Sequence, residues 1–486
     1  MSKKKSLISS MAYNTWYTMI NLLFPLITMP YLARVLGADG VGKVNFAASI
    51  VSYFIIIAAL GIPLYGIREI ANVREDKKKL DKTFSEIFVI NAISSSISIA
   101  LYLIIIQLDI FAENRVLLYI NCITLIFNIA NIDWLYKGLE EYRYITIRST
   151  IIKLISLVCI FIFIKNEKDF IAYSIISVLA LNINHLWNII HSRKFVRISF
   201  KELNLKKHLK PIIVLVSVDL AVSIYVNLDT TMLGVLCNDK TVGYYTNSIK
   251  INKIVVSVVT SITTVLIPRL SYYIKNDMKD KFEELVVVTL KTIMCISVPA
   301  SIGIFVLAKP IVENLLGMDF SPAIITIKIL SLLIIILSVG NLFGTQILIP
   351  MGKENYLLKS VVCGAVVNFT LNLILIPKFE NNGAAIASVI AEFLVMVIQI
   401  VFVRKYFKIK IFSIDLVKIT FSAFLMVVGI KAIENFLIIN EYFIIILDIM
   451  VGGSLYLVAN IILKENATIM LLDKAMSIVS RRKKNV

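Results

Sequence analysis

Apolar runs of about twenty residues, each closed by a short polar turn, follow one another along almost the whole chain. A helix needs ~20 mostly apolar residues to cross the hydrocarbon core of a bilayer. About fourteen runs meet that length, at residues 10–33, 42–65, 83–106, 115–136, 147–165, 169–190, 211–236, 242–267, 285–308, 322–349, 357–376, 383–404, 414–433 and 442–463. The pattern predicts an all-α polytopic membrane protein with about fourteen transmembrane helices. The first run begins behind a basic segment but continues through Pro25 and Pro30 to about Ala33 without a small-residue cleavage site. It is therefore expected to be a retained helix and not a signal peptide.

Composition agrees. The 486 residues are 58% hydrophobic, with mean hydropathy +0.85, above the ~45–50% usual for soluble domains. The formal net charge is +18. The basic residues sit in alternate loops: Lys3–Lys5 before the first run, Arg68 to Lys82 after the second, Arg193 to Lys210 after the sixth, Arg404 to Lys410 after the twelfth, and Arg481–Lys484 in the tail. The positive-inside rule accounts for this charge without nucleic acid and places both termini in the cytoplasm. The five cysteines are scattered singly, so neither a disulfide framework nor a zinc site is indicated. The three histidines gather around one loop, no phosphate-cradling glycine loop occurs, and no exterior loop is long enough for a catalytic domain. The chain reads as a non-enzyme with no bound cofactor.

Two segments recur. YLARVLGADGVGKVNFAASIV (31–51) resembles VNLDTTMLGVLCNDKTVGYYTNSIKI (226–251), with Leu36, Asp39 and Val41-Gly42 matching Leu236, Asp239 and Val242-Gly243. A Gly-x-Glu-x-Tyr motif appears at Gly138–Tyr142 and at Gly352–Tyr356. Each pair is six runs apart, an even number that preserves direction, so the repeats are parallel and related by an axis along the membrane normal. The expected organisation is a first lobe (1–190), a basic cytoplasmic linker (191–210), a second lobe (211–404), and two extra helices with a basic tail (405–486).

Ionisable side chains at a helix centre cost ~2.5–3.5 kcal/mol on insertion scales, so they tend to face a bundle interior or a wet cavity. Lys250 and Lys253 lie near mid-depth of the eighth run, on one helical face. They either receive an anion in a cavity or pair internally with Asp229. Glu392 lies near mid-depth of the twelfth run and Lys328 in the outer half of the tenth. Lys153 and Lys291 sit in inner halves, where snorkelling explains them equally well. Arg34 and Lys43 flank the first turn, as outer-mouth anion contacts or as interface residues. Asn121, Asn128, Asn131 and Asp133 form a polar stripe in the fourth run, either a cavity wall or interhelical hydrogen-bonding groups. Trp134 and Tyr136 follow as expected interface aromatics.

PYLARVLGADGVGKVNFA, LYGIREIA (64–71), DWLYKGLEEYRYITIRS (133–149), LDTTMLGVL…VGYY and NGAAIASVIAE (382–392) together resemble bacterial polysaccharide flippases. This is the polysaccharide-transport branch of the multidrug/oligosaccharidyl-lipid/polysaccharide exporter superfamily. The resemblance implies two pseudo-symmetric six-helix lobes in a V around a cationic cavity. It implies a substrate of undecaprenyl-pyrophosphate carrying an oligosaccharide repeat unit, moved from the inner to the outer leaflet of the bacterial cytoplasmic membrane for O-antigen, capsule or a related surface glycan. It maps the family's intramembrane cations onto Lys250, Arg34 and Lys328. Asn128 and Asn131 are candidate cavity groups, and Asp229, Glu392 and Asp133 are candidates for proton or sodium coupling or for internal pairing. Glycan polymerase machinery is a candidate partner. The alternatives are a cation-coupled multidrug or metabolite exporter, which would want a mostly acidic cavity, and a membrane polymerase or acyltransferase, which would want a large outer loop or an intramembrane histidine.

Overall fold

The computed structural model describes residues 7–200, 203–264, 266–409, 414–436, 441–470 and 472. Lys3–Lys5, Lys201, Lys410 and Arg481–Lys484, which contribute to the predicted orientation, lie outside the described residues. The described residues contain helices and turns and no strand. In order the α-helices are α1 (Leu7–Ala59), α2 (Ile62–Val73), α3 (Lys77–Ile105), α4 (Arg115–Asn128), α5 (Asp133–Gly138), α6 (Tyr142–Phe163), α7 (Phe170–Ser192), α8 (Lys206–Leu236) and α9 (Asp239–Thr264). They continue with α10 (Ile267–Lys275), α11 (Lys279–Val306), α12 (Ala308–Ile311), α13 (Ala323–Leu330), α14 (Leu332–Asn341), α15 (Glu354–Arg404), α16 (Ile414–Phe436) and α17 (Glu441–Ile462). Each predicted apolar run falls on helix. Eight helical stretches among the described residues are long and apolar enough to cross a membrane.

Two helices carry two predicted runs each. α1 breaks at Gly37, whose backbone (φ 65°, ψ −179°) lies in a region essentially open only to glycine. α15 breaks at Glu380 (φ 48°, ψ −127°). Beyond that break the chain folds back closely enough that a Cβ on Gly383 would stand 2.3 Å from the Leu375 carbonyl oxygen.

The chain forms two compact units, Met1–Gly243 and Tyr244–Val486. In lipid, helices gain no hydrophobic drive against one another, so close packing and polar contacts hold them. In the first unit Ser94 and Ser98 on α3 donate to the Ala58 and Phe54 carbonyls of α1, both at 2.6 Å, and the Tyr102 hydroxyl donates to the Leu118 carbonyl of α4 at 2.9 Å. In the second unit Ser301 donates to the Ser331 carbonyl at 2.8 Å, Tyr245 and Ser388 share a hydrogen bond of 3.0 Å, and Tyr456 of α17 donates to the Cys295 carbonyl of α11 at 2.7 Å.

Three expectations are corrected. Trp134 and Tyr136 are buried and not interfacial. Trp134 fits against Gly66, where any Cβ would fall within 2.9 Å of its indole, and Tyr136 donates to the Asn188 carbonyl at 2.6 Å. The fourth run is not one helix: α4 ends at Asn128 and α5 starts at Asp133. The tenth run, in contrast, stays one membrane-length stretch, Ala323–Leu348, running through Ser331, whose backbone is helical (φ −58°, ψ −29°), and ending in a π-helical segment, Leu342–Leu348. The Gly-x-Glu-x-Tyr match is also displaced from the structural one. The positive-φ residues that precede α6 and α15 by two positions are Glu140 (φ 61°) and Gly352 (φ 65°), so Tyr144 and Tyr356 are the equivalent tyrosines.

Candidate functional site: cavities and membrane-embedded charges

The two recurring turns meet in the first unit. A Cβ on Gly42 would lie 1.7 Å from the Asp239 carbonyl oxygen, and one on Gly243 would lie 2.1 Å from that of Ala38. These are the matched glycines of the two copies, each pressed against the other copy's backbone. Just below, α8 packs on α1 with Gly234 under the Phe46 ring, and Thr231 bonds both Tyr53 (2.9 Å) and Ser49 (3.1 Å). Beside the turns Asn114 donates to both Asp239 carboxylate oxygens at 3.2 Å. Burial pushes the Asp239 carboxyl above its usual range, and nearby Asp39 and Glu113 add to this, against the opposing effects of Asn114 and Lys43. Lys43 is committed to Asp39 at 2.6 Å and covers the Phe170 ring.

A cavity of about 250 Å³ lies inside the first unit between α1, α6 and α7. Asn21, Thr28, Lys153, Ser156, Tyr173 and Ser177 contribute polar groups to a wall that is mostly apolar, formed by Phe24, Pro25, Ile160, Ile176, Ala180 and Leu181. Lys153 is half-buried, bonds the Asn21 side-chain oxygen and lies 5.7 Å from the Phe24 ring centre. No carboxylate pairs with it among the described residues. Lys153 lies on the wall of this cavity, its ammonium bonded to Asn21 of α1. Sequence reasoning left it unresolved because depth along a helix does not say which way a side chain points.

The predicted residues distribute as follows. Arg34 is exposed on α1, ahead of the Gly37 break, and Asp229 is buried on α8. Asn128 is bonded between helices: its amide donates to Ser95 (3.0 Å), and its carbonyl accepts from Asn91 (2.8 Å). Asn131 reaches Asn128 at 3.4 Å. Asp133 accepts from Arg148 at 3.1 Å and Asn188 at 2.6 Å. In the second unit Lys250 is half-buried and Lys253 exposed on α9, Lys328 lies 5.6 Å from the Phe305 ring centre, and Glu392 is half-buried on α15. Lys291 is salt-bridged to Asp415 of α16 at 2.6 Å.

A larger cavity, about 690 Å³, lies in the second unit between α11, α16 and α17. Pro299, Ile304, Met426, Ile430, Gly452 and Leu457 make its wall apolar, with Asp448 as a charged group on it. The wall suits hydrocarbon, and its breadth follows from small residues on α11 and α17.

A helical, internally repeated chain with cavities among its spans, one of them carrying a lysine, has the architecture of a multi-pass membrane transporter. Solved structures share that fold. The inward-closed lipid II flippase MurJ aligns with a TM-score of 0.76 at 16% identity, covering 93% of this chain and 98% of that one. An inward-facing multidrug-resistance MATE transporter of the MOP superfamily aligns at 0.63 and 15% identity, covering 79% and 97%. The family described as "Polysaccharide biosynthesis protein" matches residues 7–274, more than half of the chain, and the chain belongs to it. The family "Lipid II flippase MurJ" also matches, over residues 159–450. A relative from Escherichia coli (strain K12) named "Putative O-antigen transporter" is 24% identical over 392 residues, 79% of this chain and 93% of its own length. One of the same name from Shigella dysenteriae is 23% identical over 386 residues, 78% and 96%.

Proposed function

We propose that this chain is a flippase that carries undecaprenyl-pyrophosphate-linked oligosaccharide repeat units from the cytoplasmic to the outer leaflet by alternating access, with both termini cytoplasmic. The observation that carries this reading is Lys153, a cation within the membrane-embedded part of the fold, on the wall of a largely apolar cavity where it bonds Asn21 and has Thr28 and Ser156 on the same wall. A sugar-pyrophosphate headgroup cannot cross hydrocarbon unaided. Hydroxyl and amide groups replace its hydration, and lysine offsets its charge as a mobile point charge suited to an anion that must arrive and leave. Lys250, Lys253, Arg34 and Lys328 extend the same chemistry. The apolar cavity beside α16 and α17 is suited to the lipid chain. Asp229 and Glu392 are the candidates for proton or sodium coupling, and a glycan polymerase would consume the flipped product. The test is Lys153→Gln and Lys250→Ala at matched abundance. Loss of surface glycan supports the reading, and normal glycan in both variants overturns it. The fold shared with a multidrug transporter favours a second reading, drug export, under which the same variants would alter drug resistance and leave glycan intact.

A further inference from the structure

The Gly-x-Glu-x-Tyr segment of the second repeat carries charge that the fold does not require. Both repeats build the same aromatic stack where their paired helices end. In the first, Tyr144 of α6 stacks on His191 of α7 with ring centres 4.1 Å apart. In the second, Tyr356 at the start of α15 stacks on Phe402 near its end at 4.3 Å. The first stack is enclosed by Tyr136 and Phe195, and the cation over it, Arg148, is neutralised by Asp133. The second is enclosed by lysines instead. The Lys353 ammonium lies 5.4 Å from the Tyr406 ring centre, Lys359 lies 5.9 Å from that of Tyr356, and Lys405 lies 5.1 Å from that of Phe402. None of the three forms a salt bridge among the described residues, and Lys359 and Lys405 are exposed. Contact with aromatic faces holds the ammonium groups together at an end of the membrane-spanning helices without cancelling their charge.

We propose that Lys353, Lys359 and Lys405 form a binding site for a lipid-borne phosphate at the cytoplasmic membrane interface. Phosphate on a lipid arrives at the depth of these helix ends, and three uncompensated cations around an amphipathic aromatic platform match it in charge and polarity. The site rests on the membrane reading and on the orientation proposed above, and not on which lipid is transported.

The experiment is native mass spectrometry of the full-length protein in detergent, titrated with short-chain phosphatidylglycerol or phosphatidylcholine. Preferential retention of phosphatidylglycerol is expected, falling at least about tenfold in the triple variant K353Q/K359Q/K405Q. The control is K77Q/K78Q/K79Q, which removes equal charge from the start of α3, where Lys77 and Lys79 are already paired with Asp81 and Asp76. Undiminished phosphatidylglycerol binding in the first variant, or an equal loss in the control, overturns the proposal. Farnesyl pyrophosphate as competitor separates the two sources of phosphate: displacement of bound phosphatidylglycerol assigns the site to an incoming pyrophosphate, and persistence assigns it to a resident phospholipid. A K353Q/K359Q/K405Q protein that loses lipid binding yet still supports surface glycan keeps this site apart from the transport reading.

Discussion

Gly42→Ala tests the contact between the two recurring turns. The added methyl would sit 1.7 Å from the Asp239 carbonyl oxygen and 2.5 Å from its carbon, whereas carbon–oxygen contacts settle near ~3.3 Å. The turns would have to part by roughly 1.5 Å, because both obstructing atoms are backbone and no side chain can swing clear. Overpacking of this kind typically costs ~1–3 kcal/mol. At 1.4 kcal/mol per factor of ten, that is a shift of about 5- to 150-fold against the state in which the turns touch. The reporter is Ser49→Cys, on α1 beneath the turns, buried and bonded to Thr231 of α8. In a background free of native cysteines, its labelling by a membrane-impermeant maleimide from outside should accelerate by that factor when Gly42→Ala is added. Gly243→Ala, 2.1 Å from the Ala38 oxygen, should act alike, and the double variant should fall short of the sum because both open one contact. Unchanged labelling and unchanged transport in a stably expressed Gly42→Ala protein would refute the reasoning.

Further outcomes follow from other contacts. Lys153→Gln should abolish transport while leaving the melting temperature within a few degrees, since a glutamine can still bond Asn21; full transport would remove Lys153 from the substrate path. Arg148→Ala should destabilise the purified protein by about 3–5 kcal/mol, read as a large fall in melting temperature, because it strands Asp133 beside the buried site Arg148 occupied. Asp239 binds its proton more tightly when folded than unfolded, so its contribution to stability is greatest below the ordinary carboxylate range of about 4 and is lost as pH rises through its raised value. Asp239→Asn should therefore raise the melting temperature at neutral pH and flatten its pH dependence across that interval; an unchanged profile would show that the Asp239 proton is not linked to folding.

The helices were legible because a spanning run announces itself by length. The turns that join them were less so. The breaks at Gly37 and Glu380 fall in the polar gaps that separate each pair of runs, but hydropathy did not show that the chain turns there through a single residue of unusual backbone angle. Lysines could be ranked by depth but not by direction, which is why Lys153 and Lys291 read alike and separated only in three dimensions, one into a cavity and one onto Asp415. The fourth run misled for a related reason. Its polar residues sit at near-helical spacing, yet Asp133 lies past a break and finds Arg148 and Asn188 on two other helices. Trp134 followed the interfacial pattern in sequence, and only the absence of a side chain at Gly66, far away along the chain, lets it be buried. The repeat, in contrast, showed in a handful of residues because contact constrains them: Gly42 and Gly243 match since each must admit the other copy's backbone.

The measurement closest to the central proposal is the location of lipid-linked oligosaccharide in cells deleted for this protein. Undecaprenyl-pyrophosphate-linked repeat units should accumulate in the cytoplasmic leaflet, shielded from an added impermeant glycosidase until the cells are opened, and re-expression should restore their access. Accumulation in the outer leaflet, or no accumulation while surface glycan stays normal, would contradict the account.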